Sequence, residues 1–239
     1  MSTPISRGRR LTTTLLSFAL LAACGTDHPR QRSVDAALAA AVRVEATGCA
    51  SESVGAGSFG AGSFVAPQQV LTVAHVVAGA TAVRVVLADG SRADATVVAI
   101  DRRKDLAVLE LEDEAVPLAR NSMRRGSRGS FVGYRNDRPI AMLFVTIDAV
   151  QIDVPDLDHD GSTQRLGYEL RADVNRGDSG SVLVTDGAAT GIVFARSTAT
   201  DDKAWALDIT EAEQLLATAG HDSVDVGECI LPAGIAAAR

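Results

Sequence analysis

Beyond residue 80 the chain is a succession of short apolar or alternating runs broken by turn residues, and this constrains its fold more than anything else. Val83–Leu87 alternates and ends in Ala88-Asp89-Gly90-Ser91, whose Asp-Gly step is a hairpin signal. Ala95–Ile100, Leu106–Leu111, Ser130–Tyr134, Ile140–Ile152, Arg165–Leu170, Val182–Thr185, Thr190–Phe194 and Ala204–Leu207 follow as further strand candidates. Many short strands at this spacing specify a barrel or a sandwich. Upstream, Gly55-Ala-Gly-Ser-Phe59 is repeated at once as Gly60-Ala-Gly-Ser-Phe64, the first copy reading as a loop insertion. Asp35–Val44 is Ala-rich and starts helical before turning into a first strand. A late helix is expected over 211–219, opened by a Thr210/Glu213 capping box and stopped at Gly220.

The chain has 239 residues and a net charge of −7. Its first 23 residues hold Arg7, Arg9 and Arg10 but no acid, so the remainder carries −10. That balance argues against a nucleic-acid partner, because phosphate binding needs a basic face. Leu11–Ala23, 13 residues interrupted by Thr12, Thr13 and Thr14, is too short to span a bilayer. With its basic head it reads as an export signal, and Leu21-Ala22-Ala23-Cys24 resembles a bacterial lipobox with Cys24 as the lipidated residue. Acyl chains there would hold the protein on a membrane surface outside the cytoplasm. Three Cys in an exported chain leave one over. With Cys24 lipidated, Cys49 and Cys229 remain as a disulfide pair 180 positions apart, closing a loop worth up to about 5 kcal/mol in the chain-entropy description.

Three words carry chemistry. His75 ends Leu71-Thr-Val-Ala-His, Asp105 opens Asp-Leu-Ala-Val108, and Ser179 lies in Arg176-Gly-Asp-Ser-Gly-Ser181. A serine hydroxyl is a poor nucleophile until a positioned base takes its proton. His75 fits that base, and it alone of the four His has motif context. Asp105 enters an apolar run, where a carboxylate wants a partner; orienting the His75 imidazole supplies one. Gly177 and Ser179 fit as the two backbone N–H donors of an oxyanion hole. The order His–Asp–Ser excludes the orders used by subtilisins and by α/β-hydrolases, and with it a lipase or esterase of the latter type.

These residues, with Gly62-Ser-Phe-Val-Ala-Pro67, Arg171-Ala-Asp-Val-Asn-Arg-Gly-Asp-Ser-Gly180 and Gly191-Ile-Val-Phe-Ala195, resemble the trypsin-like serine proteases. The resemblance covers about residues 41–230 and is closest to the bacterial Deg-type and actinobacterial acid-resistance-type enzymes. It implies an all-β fold of two six-stranded antiparallel barrels of chymotrypsin type with a C-terminal helix. His75 and Asp105 would come from the first barrel and Ser179 from the second. It implies a serine endopeptidase acting on peptide or protein substrates through an acyl-enzyme, with no cofactor and no metal, as a monomer. Ser181 departs from the family by replacing a Gly beside the nucleophile, which suggests a narrowed site. No Ile-Val-Gly-Gly activation terminus exists to pair with Asp178. Asp173, six before Ser179, and Arg196 are the specificity-pocket candidates, with Arg171, Arg176 or Arg196 available to neutralise Asp173. The alternative reading is a catalytically weak or inactive binding or sensing module, its cleft obstructed by Ser181 and Arg196.

Asp156-Leu-Asp158-His-Asp160-Gly161 has calcium-loop spacing but lacks the acid at position twelve, which is Gly167; a solvated acidic loop is the preferred reading. The domain layout expected is a signal peptide over 1–23, a tether over 24–40, the protease domain over 41–230 and a tail over 231–239, with no room for a further domain.

Overall fold

The computed structural model describes residues 29–48 and 58–229. The export signal, Cys24, Cys49 and the tail lie outside the described residues. Helix α1 (Pro29–Ala40) runs straight into β1 (Ala41–Thr47). There follow β2 (Ser58–Ala66), β3 (Gln69–Thr72), the one-turn helix α2 (Ala74–Val77), β4 (Ala82–Val86), β5 (Arg92–Asp101) and β6 (Leu106–Glu110). These six strands close an antiparallel barrel in the order β1-β2-β3-β6-β5-β4. Strand β2 begins at Ser58, so the last two residues of the first repeat belong to the barrel rather than to an insertion.

The second half contributes β7 (Ala119–Arg120), β8 (Arg128–Arg135), β9 (Arg138–Pro155), β10 (Ser162–Ala172), β11 (Val182–Thr185), β12 (Ala188–Arg196) and β13 (Lys203–Asp208). Their sheet runs β11-β8-β9-β10-β13-β12, and β11 pairs with β12 as well, so six strands form a ring. The two-residue β7 adds a seventh, parallel to β12, that the sequence pattern does not signal. A 3₁₀ turn (Ile209–Ala212) and α3 (Glu213–Thr218) close the fold. The cap is Asp208 rather than Thr210. Asp208 accepts from the Thr210 backbone N–H at 2.8 Å and from the Thr210 hydroxyl at 2.6 Å, which occupies the group expected to cap.

Each ring buries its own apolar set. Val42, Val44, Val70, Leu71, Val108 and Leu109 fill the first barrel, and Phe131, Phe144, Leu170, Leu183 and Val193 the second. A fully buried side chain of this size contributes about 1.5–3 kcal/mol, and one apolar cluster runs on from the first barrel to Val132, Val182, Ile192 and Leu207 of the second sheet. Among the ties that cross between the two halves are these. The Ala61 N–H donates to the Ser179 carbonyl at 2.8 Å. Helix α1, expected as part of a tether, instead packs on β8, β9 and β11, where its Ser33 hydroxyl accepts the Asp186 N–H at 2.9 Å. Arg102, on the turn after β5, pairs with Asp158, and its carbonyl accepts the Leu157 N–H at 3.2 Å.

Arg102 also gathers the end of the described chain, donating to the Val226 carbonyl at 2.8 Å and the Glu228 carbonyl at 3.2 Å. The 224–229 segment therefore returns to the first barrel, where the Val224 N–H meets the Val97 carbonyl at 3.0 Å. The acidic loop expected to be solvated is partly engaged: Asp158 faces Arg102, and Asp156 faces Arg103 at 3.7 Å and accepts the Asp158 N–H at 2.9 Å.

Candidate active site

Strand β3 delivers the first functional side chain. Its extended path continues through Val73 and then turns into α2, whose second residue is His75. Buried Ala74, Val76 and Val77 fix the turn against the barrel, so the imidazole faces the cleft. Asp105 comes from the turn joining β5 to β6. The Asp101 carboxylate shapes that turn by accepting the Arg103 N–H at 3.1 Å and the Lys104 N–H at 2.9 Å. Asp105 itself is 2% exposed and held at φ 54°, a left-handed conformation that a non-glycine residue adopts at a cost.

The two side chains meet in a two-point contact. The His75 ring Nδ1 lies 2.7 Å from Asp105 Oδ2, and the His75 backbone N–H donates to Oδ1 at 2.8 Å. One carboxylate thus fixes both the ring and the backbone that carries it. A carboxylate at Nδ1 favours the tautomer with its proton there, which leaves Nε2 as an acceptor. Burial pulls the His75 pKa down, but the charge and hydrogen bond of Asp105 outweigh it and leave the imidazole above its ordinary value.

The facing wall carries Ser179. Gly60 shows how close the two walls come. A side chain on Gly60 would meet Val76, next to His75, at 2.6 Å and the Ser179 carbonyl at 2.9 Å. Gly180 is forced by the same crowding, since a Cβ there would stand 2.2 Å from the Ala61 carbonyl oxygen. The Ser179 hydroxyl makes no hydrogen bond to His75 among the described contacts; such bonds are often long without substrate. Just before it, Asn175–Asp178 form a turn closed by the Asp178 N–H on the Asn175 carbonyl at 3.1 Å, with Gly177 at φ 89°. Positive φ at the third position marks a type II turn. The Gly177 and Ser179 N–H groups donate to no acceptor among the described residues.

Asp178 is fully buried and needs a cation. Arg135, at the end of β8, supplies one, with Nη1 to Oδ1 at 2.7 Å and Nη2 to Oδ2 at 3.0 Å. The Asn175 N–H completes the carboxylate's shell at 2.8 Å. The sequence reading missed Arg135, although a buried acid signals a cation elsewhere in the chain.

Ser181 does not narrow the cleft. It is 2% exposed and its hydroxyl donates to the Val132 carbonyl at 2.7 Å, on the core side. Asp173 is exposed and accepts from the Asn175 side chain at 2.9 Å, so it does not sit at the floor of a buried pocket. Arg196 is exposed at the end of β12 and forms no ion pair among the described residues. Arg171 pairs with Asp202 at 3.6 Å instead of with Asp173.

Residues 60–192 match the trypsin-like peptidase domain. The chain belongs to that family. It is 32% identical over 180 residues to the serine protease Rv3671c of Mycobacterium tuberculosis, an alignment covering 72% of this chain and 45% of the relative. The chain thus spans less than half the length of the curated relatives it matches. The crystal structure of the active form of the Rv3671c protease superposes with a TM-score of 0.74 at 25% identity, covering 97% of this chain and all of that one. The inactive form gives 0.66 at 28% identity over 79% of this chain and 93% of that one. The HtrA-type protease AlgW, 21% identical over 78% of this chain and 62% of that one, shares the fold with a TM-score of 0.66.

Proposed function

We propose that the chain is a serine endopeptidase in which Ser179 attacks the scissile carbonyl, His75 takes and returns the proton, and Asp105 orients the imidazole. The observation that carries this reading is the double hold of one buried carboxylate on the His75 ring and backbone, at 2.7 and 2.8 Å. Attack of Ser179 Oγ on the carbonyl carbon breaks the C=O π bond and places negative charge on oxygen. The Gly177 and Ser179 N–H groups receive that oxyanion. His75, now protonated at Nε2, passes the proton to the leaving amine as the C–N bond breaks, giving the acyl-enzyme. Water, deprotonated by His75, then releases the acid and restores Ser179.

The Ser181 hydroxyl, turned onto the Val132 carbonyl, supports this reading over an inactive binding module obstructed at that position. Asp173 and Arg196 belong in this reading to the rim of the specificity site. Substrates are peptides or proteins, taken by a monomer.

The same reading places the enzyme outside the cytoplasm on a lipid anchor at Cys24. Among the described residues no helix is long and apolar enough to cross a membrane. A Cys49–Cys229 disulfide is supported by the local packing. Gly48 lies against Thr81, and Gly79, two residues earlier, lies against Cys229. Cleavage-site profiling on a peptide library, with Ser179→Ala as the blank, tests the proposal. Serine-dependent cuts at defined positions are expected; an identical profile from the blank would refute it.

A further inference from the structure

Phe59 is 49% exposed, an unusual place for a phenylalanine on a barrel strand. It covers the turn that precedes Ser179. A Cβ on Gly177 would stand 2.4 Å from Phe59 Cε2 and 2.9 Å from Cδ2, so the ring is in direct contact with the glycine. Above the same ring stands the Arg43 guanidinium, 5.2 Å from the centroid. The register explains the meeting. Arg43 lies opposite Ala61 and Glu45 opposite Phe59 in the β1–β2 ladder, which makes Arg43 and Phe59 diagonal neighbours on one face.

Arg43 is itself held. Its side chain is 16% exposed, pairs with Asp137, and lies 3.6 Å from Glu45. Asp137 forms the tip of the β8–β9 hairpin with Asn136. Both have positive φ, 51° and 62°, the type I′ geometry that matches the twist of the strands. The residue entering that tip is Arg135, which grips Asp178. Two supports therefore reach the Gly177–Ser179 turn, through Arg135 on Asp178 and through Phe59 on Gly177. Arg43, from the opposite barrel, touches the origin of both.

We propose that Arg43 is a positioning residue for the oxyanion hole. By clamping the hairpin tip through Asp137 and pressing Phe59 onto Gly177, it keeps the Gly177 and Ser179 N–H groups aimed at the reacting oxygen. The physical need is specific. Glycine at positive φ has wide backbone freedom, and rotation of the peptide before Gly177 would turn its N–H away from the cleft. A ring packed on Gly177 and capped by a cation restricts that rotation. The proposal rests on the reading of Ser179 as nucleophile.

The test compares Arg43→Ala, Arg43→Lys, Phe59→Leu and Asp137→Asn with the parent, using a peptide ester substrate and a peptidyl boronate. A tetrahedral boronate reports the oxyanion hole, whereas KM for a good peptide does not. Arg43→Ala is expected to lower kcat about tenfold with KM changed less than about twofold, and to weaken the boronate by a similar factor. Arg43→Lys keeps a cation over the ring and is expected to recover most of that loss. Unchanged kcat and boronate affinity in Arg43→Ala, with only a lower Tm, would overturn the proposal. If Arg43→Ala does not fold, Phe59→Leu and Asp137→Asn alter exposed groups and decide it the same way. A parent enzyme that a fluorophosphonate fails to label at Ser179 would instead sink the nucleophile reading itself.

Discussion

Arg135 grips Asp178 with both guanidinium nitrogens, at 2.7 and 3.0 Å, beside the serine that follows it in sequence. The pair joins the end of β8 to the turn carrying Gly177 and Ser179. The cation that faces this buried carboxylate thus comes from a strand of the fold itself.

Removing that cation leaves a fully buried carboxylate unpaired. Arg135→Met is expected to destabilise the protein by about 3 kcal/mol, the cost of breaking one side of a buried pair. Activity should fall as well, because the Asn175–Asp178 turn loses its anchor. Adding Asp178→Asn should recover part of the stability, since the orphaned charge is then gone. Denaturant unfolding with kcat/KM on the same samples checks both halves.

The acid limb of kcat/KM should lie above the ordinary histidine value. The reaction needs neutral His75, and Asp105 holds its pKa up, so the rate rises with pH through a value higher than 6.5. Asp105→Asn removes the raising influences and leaves burial, which moves the limb down while lowering the maximal rate by about 10⁴-fold. Stability follows the complementary rule. A pKa raised by folding stabilises fully below the unfolded value, and that contribution is lost as pH rises through the folded one. A pH–rate profile of both proteins checks the position of the limb, denaturant unfolding across the same pH range checks the stability, and a limb below 6.5 in the parent would contradict the account.

Ser181→Gly tests whether the side chain after Gly180 hinders the cleft. Its hydroxyl is bonded to the Val132 carbonyl in the core, so the change should cost about 1 kcal/mol of stability. The kcat/KM should not rise. A gain in rate would mean that the hydroxyl obstructs substrate after all.

Arg102→Ala should loosen three things together: the 224–229 segment, the loop around Asp158 and the turn that presents Asp105. The guanidinium donates to the Val226, Glu228 and Leu157 carbonyls and faces Asp158. Losing this set is expected to lower stability by about 2–3 kcal/mol. Hydrogen exchange should accelerate at Leu157 and Val224, and an unchanged exchange map would show that Arg102 is dispensable.

The sequence was most legible where local chemistry is forced. The alternation of Val83–Leu87 and the Asp-Gly turn announced a half-buried strand, which repeats every second residue, and the continuous apolar Leu106–Leu109 run announced a fully buried one. His75 and Asp105 were expected together because each stands at the border of an apolar run inside its own motif, and the structure brings their side chains to 2.7 Å. What stayed hidden depends on residues far apart in the chain. Arg135 on Asp178, Arg43 on Asp137 and Arg102 on Val226 span 43, 94 and 124 positions, and arginines of this kind look like ordinary surface charge until the barrels close. Asp173, offered as a specificity-site candidate by its offset from Ser179, is exposed, and offset alone does not encode burial.

The most direct measurement of the central claim is fluorophosphonate labelling of the oxidised protein with the modified residue located by mass spectrometry. A single adduct on Ser179 is expected, abolished in His75→Ala and reduced by several orders of magnitude in rate by Asp105→Asn. No adduct on Ser179, or labelling that survives His75→Ala at the parent rate, would contradict the account.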